Sequence, residues 1–215
     1  GCLYVADMYR ETIEHPWSIP LSIKKHLDLN SGNNRGRIWR IAPKGFKSPK
    51  RKLPGAMTSE ELVVALSSPN GWTRDTAARL IYERQDKSIA SALEKLLAHP
   101  FEPASSVHAL WTLRGLGALT PTHVLRALKT GAPPVRVHGL ILANDFLENK
   151  KVASAVLAQS DHPSAAVRFQ FALTASGLPN SDEKFLALAF ALGRANDDRW
   201  NEAAVMSALT EKPGD

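Results

Sequence analysis

Cysteine occurs once in the 215 residues, as Cys2. An intrachain disulfide therefore cannot form, and a zinc or iron–sulfur site built from this chain's own thiolates is excluded. Covalent c-type haem attachment, which needs Cys-x-x-Cys-His, is excluded with them. Long apolar runs are lacking too: residues 185–192 form one of the longest and fall far short of the ~20 residues a bilayer span requires. The seven histidines (15, 26, 99, 108, 123, 138, 162) include no His-x-x-x-His and no His-Glu-x-x-His, so helix-borne metal binding has no support. Aromatic residues make up only 7%, and the five Trp (17, 39, 72, 111, 200) form no stripe on which bases would stack. What remains is an ordinary globular composition, 44% hydrophobic and 22% charged, long enough for one sizeable domain with an appendage.

The net charge of +6 is unevenly placed. Residues 1–54 hold eleven Lys/Arg against four acids, and no acid interrupts the basic residues between Arg35 and Lys52. The following 161 residues hold 16 basic and 17 acidic groups, so they are almost neutral. A repeat protein that grips nucleic acid displays its cations along the repeats, because phosphate neutralisation supplies most of the affinity. Here they are confined to the leader, so nucleic-acid binding ranks second to other readings.

The leader reads as strand and loop. Residues 2–8 (CLYVADM) and 36–42 (GRIWRIA) are β-favouring, Pro16 and Pro20 forbid a long helix between them, and 30–34 (NSGNN) is a turn cluster. Residues 22–27 have room for one or two helical turns. Two strands alone are marginal in water, so they are expected to dock on something. The chain starts inside a strand without an initiator Met, as an excised or processed piece would. Residues 44–57 have the composition of a basic Pro/Gly tether.

From Thr58 the pattern changes to helices, beginning with Thr58-Ser-Glu-Glu61 as an N-terminal cap. Similar segments then recur at 72–80, 106–113, 134–141, 166–173 and 199–206. With Arg74, His108, Arg136, Arg168 and Asn201 taken as equivalent anchors, the intervals are 34, 28, 32 and 33 residues. Prolines (69, 103, 133/134, 163) stand shortly before four of them, suited to helix starts. A second amphipathic helix follows each of the first four anchors, at 87–98, 122–130, 150–159 and 182–194. A pair of helices per ~32 residues that cannot bury its own apolar face predicts stacking into an α-solenoid. The expected fold is mainly α: an α-α superhelix of four to five helix pairs over 58–215, preceded by a β-hairpin-like segment at 1–43. Small residues (Ala77, Ala78, Ala109, Gly139, Ala172, Ala203) would let neighbouring helices approach closely. The anchors would hydrogen-bond carbonyls or acids of the adjacent turn, with Asp75, Asp161 and Asp197 as candidate acids.

Residues 161–168 (DHPSAAVR) resemble HEAT repeats, in a short variety. The leader resembles something more specific. LYVADMYR at 3–10, IEHP at 13–16, Ile19-Pro20, LDL at 27–29 and RGRIWRI at 35–41 are similar to the end of the β-propeller in a family of membrane-bound dehydrogenases. These are large bacterial proteins with HEAT-like repeats and, in many members, a PVC-type c haem domain. The likeness covers about 2–43, and the HEAT-like pattern most of 58–210. It implies strands that close a propeller blade, a periplasmic or cell-envelope location, and a c-type haem elsewhere in the parent protein. It implies no cofactor in this chain. Tyr4, Asp7, Tyr9, Arg10 and His15, with Arg37 and Arg40, would then make interdomain contacts.

Chemistry-bearing constellations are few. Asp28-x-Asn30 with Gly32 has the wrong spacing for a calcium loop and reads as a turn. Gly115-Leu-Gly117 falls where a helix ends rather than after a strand. Ser105 and His108 stand three residues apart, with no acid in an evident orienting role. The expectation is a non-catalytic scaffold that binds protein or other domains of its own parent chain. The alternative is a HEAT-like nucleic-acid binder resembling the alkylpurine DNA glycosylases.

Overall fold

The computed structural model describes residues 2–47, 52–98, 102–195 and 198–209. Lys50, Arg51, His99 and Asp197, which entered the expectations above, lie outside the described residues. The chain divides into two compact units, 1–51 and 52–215. The tether expected at 44–57 therefore gives up its last six residues to the helical unit. A short 3-10 turn, Pro54–Ala56, packs there on a helix, with Pro54 buried.

In the first unit, β1 (Leu3–Asp7) pairs antiparallel with β2 (Arg37–Ile41), in a register that sets Leu3 opposite Ile41, Val5 opposite Trp39 and Asp7 opposite Arg37. Side chains alternate across a strand, so these three pairs share one face, and Tyr4–Arg40 and Ala6–Ile38 share the other. The excursion between the strands carries one helical turn, α1 (Leu21–Lys24), and a chain of turns. Gly32 is indispensable there: its φ is +76°, and a Cβ would lie 1.8 Å from the Tyr9 carbonyl oxygen. No described residue of this unit is buried. Both sheet faces expose apolar side chains, Ile38 and Trp39 among them. Two strands without a covered face have little to stabilise them alone.

The second unit is helical: α2 (Ser59–Ala65), α3 (Gly71–Arg84), α4 (Ala90–Ala98), α5 (Pro103–Gly115), α6 (Pro121–Lys129), α7 (Pro133–Ala143), α8 (Lys150–Leu157), α9 (Ala165–Ala175), α10 (Asp182–Gly193) and α11 (Arg199–Leu209). Start signals act as their chemistry requires. The Thr58 hydroxyl accepts from the Glu61 N–H at 3.3 Å, and the Glu61 carboxylate accepts from the Thr58 N–H at 2.7 Å. Asn70, Asn149 and Ser181 cap α3, α8 and α10. Pro103, Pro121 and Pro133 occupy first helical positions, where a missing N–H costs nothing. α5 stops at Gly115, and Gly117 takes a φ of +65° just beyond, so the Gly-Leu-Gly sequence is a helix terminus.

Odd-numbered helices from α3 to α11 each pack on the next odd one, while α2 meets α4, α6 meets α8 and α8 meets α10. The unit is thus two helical layers, with the apolar core between them. That core falls into two clusters, one around Leu62, Leu66, Ala77, Ile81, Leu93 and Leu113, the other running from Leu97 to Ala208. Gly139 allows a close approach, since a Cβ there would lie 2.9 Å from the Ala127 Cβ across the α6–α7 contact. The mainly α architecture with a leading two-stranded hairpin is the one expected. Among the described residues no helix is long and apolar enough to cross a membrane.

Candidate interaction face

Counting from the first residue of each helix gives the odd layer a common register. Arg74, Arg136 and Arg168 all stand at the fourth position, of α3, α7 and α9. Each guanidinium turns back beneath its helix start and donates to the carbonyl six residues earlier: Ser68 at 2.7 Å, Thr130, and His162 at 2.9 Å. Arg168, 7% exposed, also donates to the Pro163 and Arg194 carbonyls. Arg136 also donates to the Gln159 side chain at 2.7 Å. Two of the three thereby tie their own helix start to the segment that ends the second helix of the same pair. Charge-assisted bonds of this kind are about twice as strong as neutral ones, and they satisfy carbonyls that the turns leave free.

His108 departs from the expected alignment. It stands at the sixth position of α5, and the residue in register with the arginines is Ser106, which is buried. The fourth positions then follow at 74, 106, 136 and 168, more evenly than the intervals of 34 and 28 around His108. Asn201 is at the third position of α11, where its N–H and its side-chain amide donate to the Asp198 carboxylate. Of the candidate acids, Asp75 lies 3.7 Å from His108 Nε2, and Asp161 pairs with Arg194 rather than Arg168.

His108 does share its register with His138, the sixth residue of α7. These imidazoles and the side chains one turn further along make a strip over α3, α5 and α7. Trp111 Nε1–H donates to His138 Nδ1 at 3.0 Å, with the two rings edge to face at 6.1 Å. His138 accepts on Nδ1, so the neutral ring carries its proton on Nε2. Burial pushes both imidazoles below their ordinary pKa of 6.5, with Asp75 partly opposing this at His108. Arg114 makes a bidentate pair with Asp145 at 2.7 and 3.2 Å and lies 5.6 Å from the Trp111 ring centre. The same two bonds raise the Arg114 pKa and lower that of Asp145, so both stay charged. Tyr82, Trp111, Arg114, Gly115 and Asp145 line an open cleft of about 590 Å³. A Cβ on Gly115 would meet the Tyr82 ring at 2.9 Å, so glycine lets that ring lie against α5. The strip brings together aromatic rings, one bidentate ion pair and two partly buried imidazoles.

In the first unit, Asp7 gathers the nearby groups. It accepts from the Trp39 indole at 2.9 Å and the Tyr9 N–H at 2.8 Å, with Arg37 at 3.8 Å. The indole bond chiefly, then the Tyr9 N–H, with Arg37 as the weakest contributor, holds its carboxyl below the usual range. The Arg37 guanidinium lies 4.1 Å from the Tyr9 ring centre, while Tyr9 itself has a left-handed φ of 50°. Arg10 donates to the Leu29 carbonyl and so pins the excursion to its start. His15 accepts from the Trp17 N–H, and Arg40 is exposed opposite Tyr4. The Asn30 N–H bonds the Asp28 carboxylate at 2.9 Å, the hydrogen bond of a turn. Among the described residues no three His, Cys, Asp or Glu side chains gather closely enough to hold a metal ion.

A family model described as a domain of unknown function, DUF7133, matches residues 1–45. That span falls within the first unit and leaves the helical second unit unmatched. No curated protein and no solved structure matches the chain.

Proposed function

We propose that the chain is a non-catalytic scaffold of HEAT-repeat type that holds protein domains, in first place other domains of its own parent polypeptide. The observation that carries this reading is the strip over α3, α5 and α7. Tyr82 and Trp111 are exposed aromatics on rigid helices, and an ion pair on the same surface ties α5 to the residues that follow α7. Exposed aromatic and Arg side chains on a preordered surface are the usual anchors of protein recognition. The first unit fits the same reading from the other side. With no buried residue among those described and apolar groups on both sheet faces, its strands need a larger β body, such as the propeller end that 2–43 resembles. In that parent the scaffold would space an oxidising propeller from a c-type haem domain, at a periplasmic or cell-envelope location.

The test is binding of the chain to separately produced flanking domains of the parent protein. Trp111→Ala with Arg114→Glu is expected to weaken binding at least tenfold without changing the helical signal. Haem uptake with a Soret band, or sugar oxidation by the purified chain, would overturn the reading. So would duplex-DNA binding that survives ~200 mM salt, which exposed leader lysines alone do not provide.

A further inference from the structure

α5 leaves open a space that its neighbours fill. In α7 and α9 the fourth-position arginine reaches the segment that ends the second helix of its pair, at Gln159 and Arg194. In α5 that position holds Ser106, whose side chain is far too short to span the same gap. The corresponding segment, at the end of α6, borders a cavity of about 250 Å³ that Ser106 also lines. Leu97 and Val135 give the cavity apolar walls, Thr130 adds a polar group, and the exposed Arg126 and Lys129 stand on its solvent side. Ser106 is 4% exposed, yet its Oγ makes no hydrogen bond to any described residue. A buried hydroxyl left in that state costs free energy until a partner bonds to it. Arg126 and Lys129 form no ion pair among the described residues. The cavity shares no lining residue with the cleft at Trp111.

We propose that this cavity binds a carboxylate carried on a short apolar body, either a free acid or the C-terminal end of a peptide. A guanidinium standing in for the missing arginine would match the shape but not the charge. Two cations border the cavity, and the Thr130 carbonyl already accepts from Arg136 Nε. A carboxylate supplies the acceptor that the Ser106 hydroxyl lacks, and Arg126 and Lys129 meet its charge through charge-assisted hydrogen bonds. The apolar walls favour a branched alkyl group over phosphate or sulfate, which have no apolar surface to bury. The volume admits a leucine-sized side chain together with its carboxylate. The site does not depend on the function proposed above, so either can fail alone.

Titration of the isotope-labelled whole chain with N-acetylleucine, followed by amide chemical shifts, tests this directly. The expected result is saturable movement of the Ser106, Lys129 and Thr130 amides with a dissociation constant of about 1 mM, as a ligand of this size allows. N-acetylleucinamide, which lacks the charge, should bind about tenfold more weakly. Arg126→Gln with Lys129→Gln, both at exposed positions, should weaken binding of the acid about tenfold and leave the circular dichroism spectrum unchanged. Ser106→Ala should weaken it about fivefold, and Ser106→Leu, which fills the cavity, should abolish it. A peptide ending in leucine that binds more tightly than N-acetylleucine makes a chain end the ligand, and equal binding makes it a free acid. Equal binding of acid and amide overturns the proposal, as does inorganic phosphate binding at least as tightly as the acid. Preference for N-acetylargininamide, or no saturable shift at about ten times the expected constant, overturns it equally.

Discussion

The first and last described helix pairs of the second unit differ in what covers them. At the first, residues 52–57 fold back over α3. Pro54 is buried, Arg84 donates to the Met57 carbonyl at 2.7 Å and the Gly55 carbonyl at 3.3 Å, and Lys52 pairs with the Glu61 that caps α2. At the other, α10 and α11 expose Phe185, Phe190, Met206 and Leu209. The first pair is closed over by an irregular segment clamped through its carbonyls, and the last shows apolar side chains on its exposed faces. The closed end uses a few backbone hydrogen bonds that the sequence pattern does not advertise.

The sharpest way to test the difference is to loosen each end by its own arginine. Arg168→Ala removes donors from three carbonyls, one of them Arg194 at the start of the last connection. It should lower unfolding free energy by about 2–3 kcal/mol in urea, whereas Arg74→Ala, with one such bond, should cost about 1 kcal/mol. Equal losses would mean that the bond to the end of α10 adds nothing. Arg84→Ala should cost about 1–2 kcal/mol and make residues 52–57 the first site of limited proteolysis. Unchanged cleavage there would show that the first end is not held closed by this clamp.

A smaller effect concerns the helices between the ends. His108 and His138 have depressed pKa values in the folded chain, so the unfolded chain binds their protons more readily. Stability should therefore be undiminished above 6.5, the ordinary imidazole value, and fall as pH drops below it. His138→Gln, which keeps an acceptor for Trp111, should flatten that decline in thermal melts taken across the range. Smallest of all, Met206→Lys should leave monomer stability within about 0.5 kcal/mol, since the side chain is already in water. A larger loss would show the second end to be covered after all.

Much of the fold was legible because helix punctuation is local chemistry. Thr58 with Glu61, and prolines at or just before helix starts, announced the elements, and the second helix of each pair fell within a few residues of its expected bounds. The register of α5 was not legible, because a small serine stands where its neighbours carry arginine, and His108 two residues on is the larger basic side chain. The uneven intervals were the visible sign of that slip. The contact strip was missed for a different reason. Trp111 with His138 and Arg114 with Asp145 are separated by 27 and 31 residues, about one repeat, so neither pair forms a motif within any single helix. Searching for complementary side chains one repeat apart would have found both. Residues 52–57 read as tether because Lys, Pro and Gly look alike whether solvated or clamped.

The fourth-position arginines have a consequence for how the stack comes apart. Where Ser106 replaces the arginine, α5 lacks the guanidinium clamp, and the apolar core also divides there, its two clusters sharing Leu96 and Leu119 at their margins. Coupling between neighbouring pairs is therefore weakest at one place along a quasi-one-dimensional array. Native-state hydrogen exchange should resolve two cooperative blocks that meet at α5, with amides of α7 and α9 opening together and those of α3 opening separately.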